Sequence, residues 1–204
     1  MNAATAVSIL DLGLDERRGS RAMVWFILTE LGLFVVLFFA YFYLGSMARQ
    51  HWPMDPPPKL LKASIMLVIL LVSSGVVTFS ERLAAAGRTA AARGTLLLTI
   101  IMGVAFVVLQ TLEYRERLKV VKPTTDAYGS IFFTITTFHG AHLVVGLAML
   151  IFALALPDLE GKRKLPHRPL HNAALYWHFV DGVWIVVVAL LYYLPHFQSG
   201  GFTP

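Results

Sequence analysis

The chain has 204 residues, 57% of them hydrophobic, 14% charged and none cysteine, with a net charge of +5 and a mean hydropathy of +0.67. A soluble globular domain carries roughly a quarter of its residues as charges, so that class is excluded. The missing thiols exclude a disulfide scaffold and any Cys-ligated zinc, iron–sulfur or thiolate-haem site.

The charges are clustered. Residues 22–48, 63–80, 94–112, 127–157 and 169–204 contain only Glu30 and Asp181 of the 29 charged side chains. Each stretch approaches the ~20 residues that a helix needs to cross a ~30 Å hydrocarbon core. None shows the alternation of a barrel strand, so the predicted fold is all-α, a polytopic membrane protein with five transmembrane helices. The expected helix cores are 23–44, 63–80, 95–112, 130–156 and 175–194, forming one transmembrane domain over 22–204 after an N-terminal segment, 1–21. That segment has no apolar core and contains the run Asp15-Glu16-Arg17-Arg18, so no cleaved signal peptide is expected. Lys and Arg divide ten to seven between the two faces, which favours a cytoplasmic N-terminus. The basic balance is ordinary for a membrane protein, and no nucleic-acid groove is indicated.

Taken in chain order, the first helix carries Glu30 about nine residues in, among Phe26, Ile27, Leu33 and Phe34. An ionisable group in hydrocarbon requires a reason. Glu30 reads either as a protonatable or lipid-facing carboxyl or as a neutral acid bonded to a neighbouring helix. Trp52, in the proline-rich connection that follows, is a candidate interfacial anchor. The third helix ends in Gln110-Thr111-Leu112-Glu113-Tyr114, where Gln110, Glu113 and Tyr114 are expected at the membrane interface.

The fourth helix places His139 and His142 on one face, with Gly146 one turn on as a point of close helix approach. The basic turn Lys162-Arg163-Lys164, with Arg168 beyond it, suits lipid phosphates or simply marks the cytoplasmic side. Candidate headgroup contacts are Arg163, Lys164 and Arg168. The fifth helix collects Trp177, His178, Asp181 and Trp184 on one stripe. His139, His142, His178 and Asp181 are too few for a convincing metal or haem set, so they are read as a polar cluster that holds the fourth and fifth helices together. No metal and no catalytic residue is expected.

These residues resemble subunit III of the haem-copper terminal oxidases, the cytochrome c and quinol oxidase family, from Trp25 onward. Thr29-Glu30-Leu31 with the aromatic run Phe38-Phe39-Ala40-Tyr41-Phe42 is similar to that family's helix with a membrane-buried glutamate. Leu109-Gln110 through Glu113-Tyr114 resembles its next motif. Tyr128-Gly129-Ser130 with Phe132-Phe133, then Thr137-Phe138-His139-Gly140-Ala141-His142, and finally Tyr176-Trp177-His178-Phe179-Val180-Asp181 with Trp184, match in order and spacing. Mitochondrial-type members have two further helices at the N-terminal end, so this chain resembles a short bacterial five-helix form. It departs from the pattern at Glu81-Arg82, where those members carry paired histidines, and at Gly182.

The resemblance implies a non-redox accessory subunit without catalysis of its own, a cofactor-free bundle with a lipid-holding cleft and structural phospholipids. Haem and copper would sit in the partner catalytic subunit I, with subunit II and small subunits or a respiratory supercomplex alongside. Its implied task is to support proton uptake and turnover stability in a bacterial plasma membrane, with cytochrome c a better fit than quinol as donor. The alternatives are a related subunit of a nitric-oxide-reducing system, a small b-type haem electron carrier and a proton-coupled transporter.

Overall fold

A computed structural model describes residues 3–47, 52, 59–119, 121, 123, 127–156 and 167–199, with side chains placed from residue 19 except those of residues 167, 198 and 199. The chain forms α1 (Ala3–Met47), α2 (Leu60–Ala85), α3 (Thr89–Arg117), α4 (Ala127–Ala155) and α5 (His167–Val188). A π-helical turn, Ala189–Tyr193, joins α5 to a last short helix, α6 (Leu194–Ser199). Among the described residues five segments are long and apolar enough to cross a membrane: Gly19–Met47, Leu60–Ala85, Thr89–Arg117, Ala127–Ala155 and Arg168–Phe197. The protein is therefore an all-helical, multi-pass membrane protein.

The helices outrun their apolar cores. α1 runs back to Ala3 through the segment that precedes the expected core, and α3 continues one turn past Glu113 to Arg117. α5 starts at His167, well before residue 175, because Pro169 falls in the first turn, where its missing N–H removes no helical bond. α2 stops at a Schellman turn: Gly87 N–H donates to Ala84 O and Arg88 N–H to Leu83 O, with Gly87 at φ 73°. That left-handed conformation is cheap only for glycine, and it folds α3 back along α2 as a tight antiparallel hairpin.

α5 is the central element, packed against α1, α2 and α4, while α3 bridges α2 and α4. Among the described residues α1 leans mainly on α4 and α5 and leaves most of its apolar surface, including Trp25, Val36 and Phe39, facing outward. Such a wall suits hydrocarbon or another membrane helix, since lipid tails are as apolar as leucine.

Trp177 is the keystone of the core. Its fully buried indole fills a slot in which a Cβ on Gly103 would lie 2.6 Å from the ring and one on Gly146 3.1 Å from it. The ring Nε1–H donates to Ser73 Oγ on α2 at 2.9 Å. One side chain thus ties α5 to α2, α3 and α4. Gly146 admits this ring rather than a neighbouring helix backbone.

Pro195 explains the π turn. It has no N–H for the carbonyls one turn back, and the backbone widens so that Leu194 N–H reaches Ala189 O. The Leu190 and Leu191 carbonyls accept instead from Tyr41 OH of α1 at 3.1 Å and Tyr128 OH of α4 at 3.2 Å. In a bilayer no water replaces such partners. Changing both tyrosines to Phe should lower stability by about 1–2 kcal/mol in a denaturant titration of the purified chain. A Pro195→Ala background should remove most of that loss by letting the α-helical ladder close.

Candidate functional site

The first polar site joins α1 to α4. Glu30 Oε2 lies 2.8 Å from His142 Nε2, and His142 Nδ1 lies 2.6 Å from Phe138 O. Antiparallel depth brings them level: Glu30 is eleven residues into its span, counted from Gly19, and His142 thirteen from the far end of its own. A carbonyl only accepts, so Nδ1 carries a proton and donates it to Phe138. Nε2 and the carboxyl must then share one proton, as acid and imidazole or as carboxylate and imidazolium. Either way the pair is electrically neutral overall, which lets it remain in a low-dielectric layer. Phe34 packs edge-on to the imidazole at 4.9 Å, which shields it from the rest of the interior.

The four side chains expected to bind α4 to α5, and Trp177 and Trp184 on the same stripe of α5, do not meet as one cluster. His142 turns to α1. His178 bonds both ring nitrogens to α2, through Ser74 Oγ and through Thr78 Oγ1 at 3.3 Å, on the outward side of the seam. Trp177 also bonds to α2, through Ser73. His139 and Trp184 alone meet across α4 and α5, as stacked rings 4.7 Å apart with Phe106 of α3 closing the group. Asp181 is buried at 3% exposure, and neither carboxyl oxygen has a hydrogen-bond partner among the described residues. The polar cluster expected to hold α4 and α5 together is thus divided among other partners. A helical stripe fixes which residues share a face, but the rotation of α5 about Trp177 decides which neighbour that face meets.

At the opposite membrane face α3 is pinned to α4. Gln110 donates to Thr136 O at 2.8 Å, Tyr114 OH donates to Phe133 O at 3.0 Å, and Tyr114 also bonds Thr137 Oγ1. Glu113 is buried rather than solvated, 3.3 Å from Arg117 Nε and 3.6 Å from Lys62 Nζ, and Lys62 also pairs with Glu116. The Arg117 guanidinium rests over Phe132, 5.4 Å from its centroid. Trp52 packs between Tyr41 and Tyr128, 4.9 Å from each. These partners came from sequence positions that composition alone marks only as polar residues near a boundary.

Among the described residues, grooves open on the apolar surface. One, of about 660 Å³, runs between α1, α4 and α5, lined by Met23, Met149 and Phe152 with Arg168 and Asn172 at its polar end. A second, of about 460 Å³, lies between α3 and α4 beside Gln110, Arg115 and Thr137. Arg163 and Lys164 lie outside the described residues. Among the described residues no three His, Asp or Glu side chains converge as a metal site requires.

The family model of cytochrome c oxidase subunit III matches residues 16–196. The chain belongs to the cytochrome c oxidase subunit III family. It is 32% identical over 192 residues to cytochrome c oxidase subunit 3 of Heterololigo bleekeri, which covers 90% of this chain and 72% of that protein. The Tachyglossus aculeatus aculeatus subunit 3 is 34% identical over 179 residues, covering 84% and 67%, and that of Pongo abelii 33% over 189 residues, covering 88% and 71%. The matched range, residues 16–196, spans the positions of Glu30, His142 and the α5 stripe. Membership of this cytochrome c oxidase subunit family makes the chain an accessory component of a haem-copper oxidoreductase complex in a membrane.

Proposed function

We infer that the chain is a subunit III without redox centres of its own, seated beside catalytic subunit I, where haem and copper reduce oxygen, with subunit II completing the enzyme. The observation that carries this reading is the Glu30–His142 pair, a neutral, protein-satisfied contact at the glutamate whose surrounding sequence resembles that family's membrane-buried acid. Its two groups are spent on one another and on Phe138, and both ring nitrogens of His178 are spent on α2. The role assigned is to sustain proton uptake and turnover stability of the partner.

The α1–α4–α5 groove is the lipid site of this reading. Its apolar lining takes acyl chains, and Arg168 takes a phosphate at the face where Arg163 and Lys164 also lie in sequence. Residues 1–21 and this basic face are assigned to the cytoplasm of a bacterial plasma membrane. The chain lacks cysteine, so a single introduced thiol reports the side: Arg88→Cys should label from the cytoplasm and Lys119→Cys from the opposite face.

The deciding experiment is affinity purification of the chain from its own membranes. It should recover a large haem-copper subunit, and a complex stripped of the chain should lose oxygen-reduction activity progressively over many turnovers. Equal rates, persistence and proton uptake with and without it would overturn the functional reading. Recovery with a nitric-oxide-reducing partner would move the chain to that related system.

A further inference from the structure

The α3–α4 groove of about 460 Å³ opens at the membrane face opposite Arg168 and runs inward between two antiparallel helices. Arg115 and Thr136 line its outer end, and Val107 and Val144 its inner end, about 12 Å of helical rise deeper on each side. The space exists because α4 presents Gly140 and Ala141 here. A Cβ on Gly140 would stand 3.3 Å from Gln110 Nε2, so the glycine lets that amide lie close against α4.

Counting protons shows what this wall can still donate. Thr111 gives its hydroxyl proton to Val107 O at 2.8 Å and Thr137 to Phe133 O at 2.6 Å, while Tyr114 bonds Phe133 O and Thr137. Gln110 uses one Nε2 proton on Thr136 O at 2.8 Å, which leaves its second N–H without a partner among the described residues. The other free donor is the Arg115 guanidinium. Its acidic neighbours are engaged elsewhere: Glu113 lies against Arg117 and Lys62, and Glu116 pairs with Lys62. Among the described residues Arg115 forms no ion pair. The described charged side chains at this end, Lys59, Lys62, Arg115, Arg117 and Lys119 against Glu113 and Glu116, leave it net positive. A cation at the rim of an apolar groove suits an anion on a hydrophobic carrier. The Gln110 amide, about 7.5 Å further in along the helix, suits a neutral acceptor.

We propose that this groove binds one anionic glycerophospholipid from the leaflet at that face. The phosphate sits on the Arg115 guanidinium, an ester carbonyl accepts the second Gln110 N–H, and an acyl chain follows Val107, Ala141 and Val144 inward. Phosphate and ester carbonyl of one such lipid are separated by its glycerol unit, which matches the order of the two donors along α3. A partner helix is the poorer occupant: about 10 Å across, it would fill 460 Å³ within about one turn, whereas one acyl chain is narrow enough to run the length of the groove. This inference rests on the membrane-spanning fold and not on the oxidase assignment, and it concerns another helix pair and the opposite leaflet from the Arg168 groove.

The test uses the full chain in phosphatidylcholine vesicles containing a small fraction of phosphatidylglycerol with a photoactivatable diazirine in its acyl chain, and maps the cross-linked residues by mass spectrometry. Illumination should mark Val107, Ala141 and Val144, and phosphatidylcholine carrying the same diazirine should mark them about fivefold less. Unlabelled phosphatidylglycerol should compete, and inorganic phosphate should not. Arg115→Gln should lower the phosphatidylglycerol signal about fivefold while leaving that of phosphatidylcholine unchanged, and Arg115→Lys should restore most of it. Ala141→Phe, which fills the groove from an exposed position, should lower both. Equal marking by the two lipids, or marking unchanged in both Arg115→Gln and Ala141→Phe, means ordinary contact with surrounding lipid and overturns the proposal. Displacement of the label by inorganic phosphate overturns it too, as does loss of the label in the purified complex, where another chain would then cover α3 and α4. None of these results decides which complex the chain joins, so the two readings fail separately.

Discussion

Trp177→Ala is expected to destabilise the chain by about 3 kcal/mol, the lower end of the range for emptying a buried Trp site. In a bilayer the unfolded helices stay in lipid, so little of this is transfer from water, and the loss is one of packing and of a hydrogen bond. Both are concentrated here. The indole touches three helices around Gly103, Gly146 and Leu147, and its Nε1–H satisfies Ser73. Trp177→Phe keeps much of the ring volume and loses the donor, so it should cost about 1–2 kcal/mol. Gly103→Ala attacks the same slot from α3, where the added methyl would stand 2.6 Å from the ring and 2.7 Å from Leu147. Overpacking of this kind should cost about 1–3 kcal/mol. Unfolding of the purified chain in mixed detergent micelles measures all three. If Trp177→Ala shifts the midpoint no more than an outward-facing Phe39→Ala, α5 is not held as described.

Glu30→Leu is expected to cost about 1–3 kcal/mol while Glu30→Gln costs little, because the two differ in what they leave for His142. With Nδ1–H committed to Phe138 O, His142 Nε2 needs a donor, and a Gln amide supplies one without any titratable group. Leucine leaves that nitrogen unsatisfied between α1 and α4. The double variant Glu30→Leu/His142→Leu should recover about 1 kcal/mol, the scale of buried polar couplings measured in membranes. In the assembled complex Glu30→Gln should preserve binding of the chain to its partner. Equal losses for Gln and Leu, or additive losses in the double variant, would show that the contact does not bind the two helices.

The number, order and approximate depth of the five spans follow from composition, because hydrocarbon tolerates no scattered charge and the two exceptions, Glu30 and Asp181, are conspicuous for that reason. Helix ends were less legible. α5 begins eight residues before its expected core, since Pro169 sits where a helix start accepts it, and α3 carries Glu113 one turn inside its end, where Lys62 and Arg117 neutralise it. Gly103 looked like any small residue in an apolar stretch; only the indole filling the space above it distinguishes that position. Ser73, Ser74 and Thr78 offered a weak signal, three hydroxyls close together in an apolar helix, and they proved to be the partners of Trp177 and His178.

Spacing along a helix sets which side chains share a face, and that much of the polar stripe on α5 was written in the residue order. Which neighbour each member meets depends on how α5 rotates and on how deeply α1 stands beside α4, quantities set by the fit of Trp177 between Gly103 and Gly146 and by the tyrosines that close the π turn. Sequence alone therefore determined that this protein spans a membrane five times with two acids and several imidazoles inside it. Tertiary packing decided that Glu30 pairs with His142, that His178 belongs to α2, and that Asp181 is buried with no counter-ion among the described residues, because each of those relations joins groups that no local period connects.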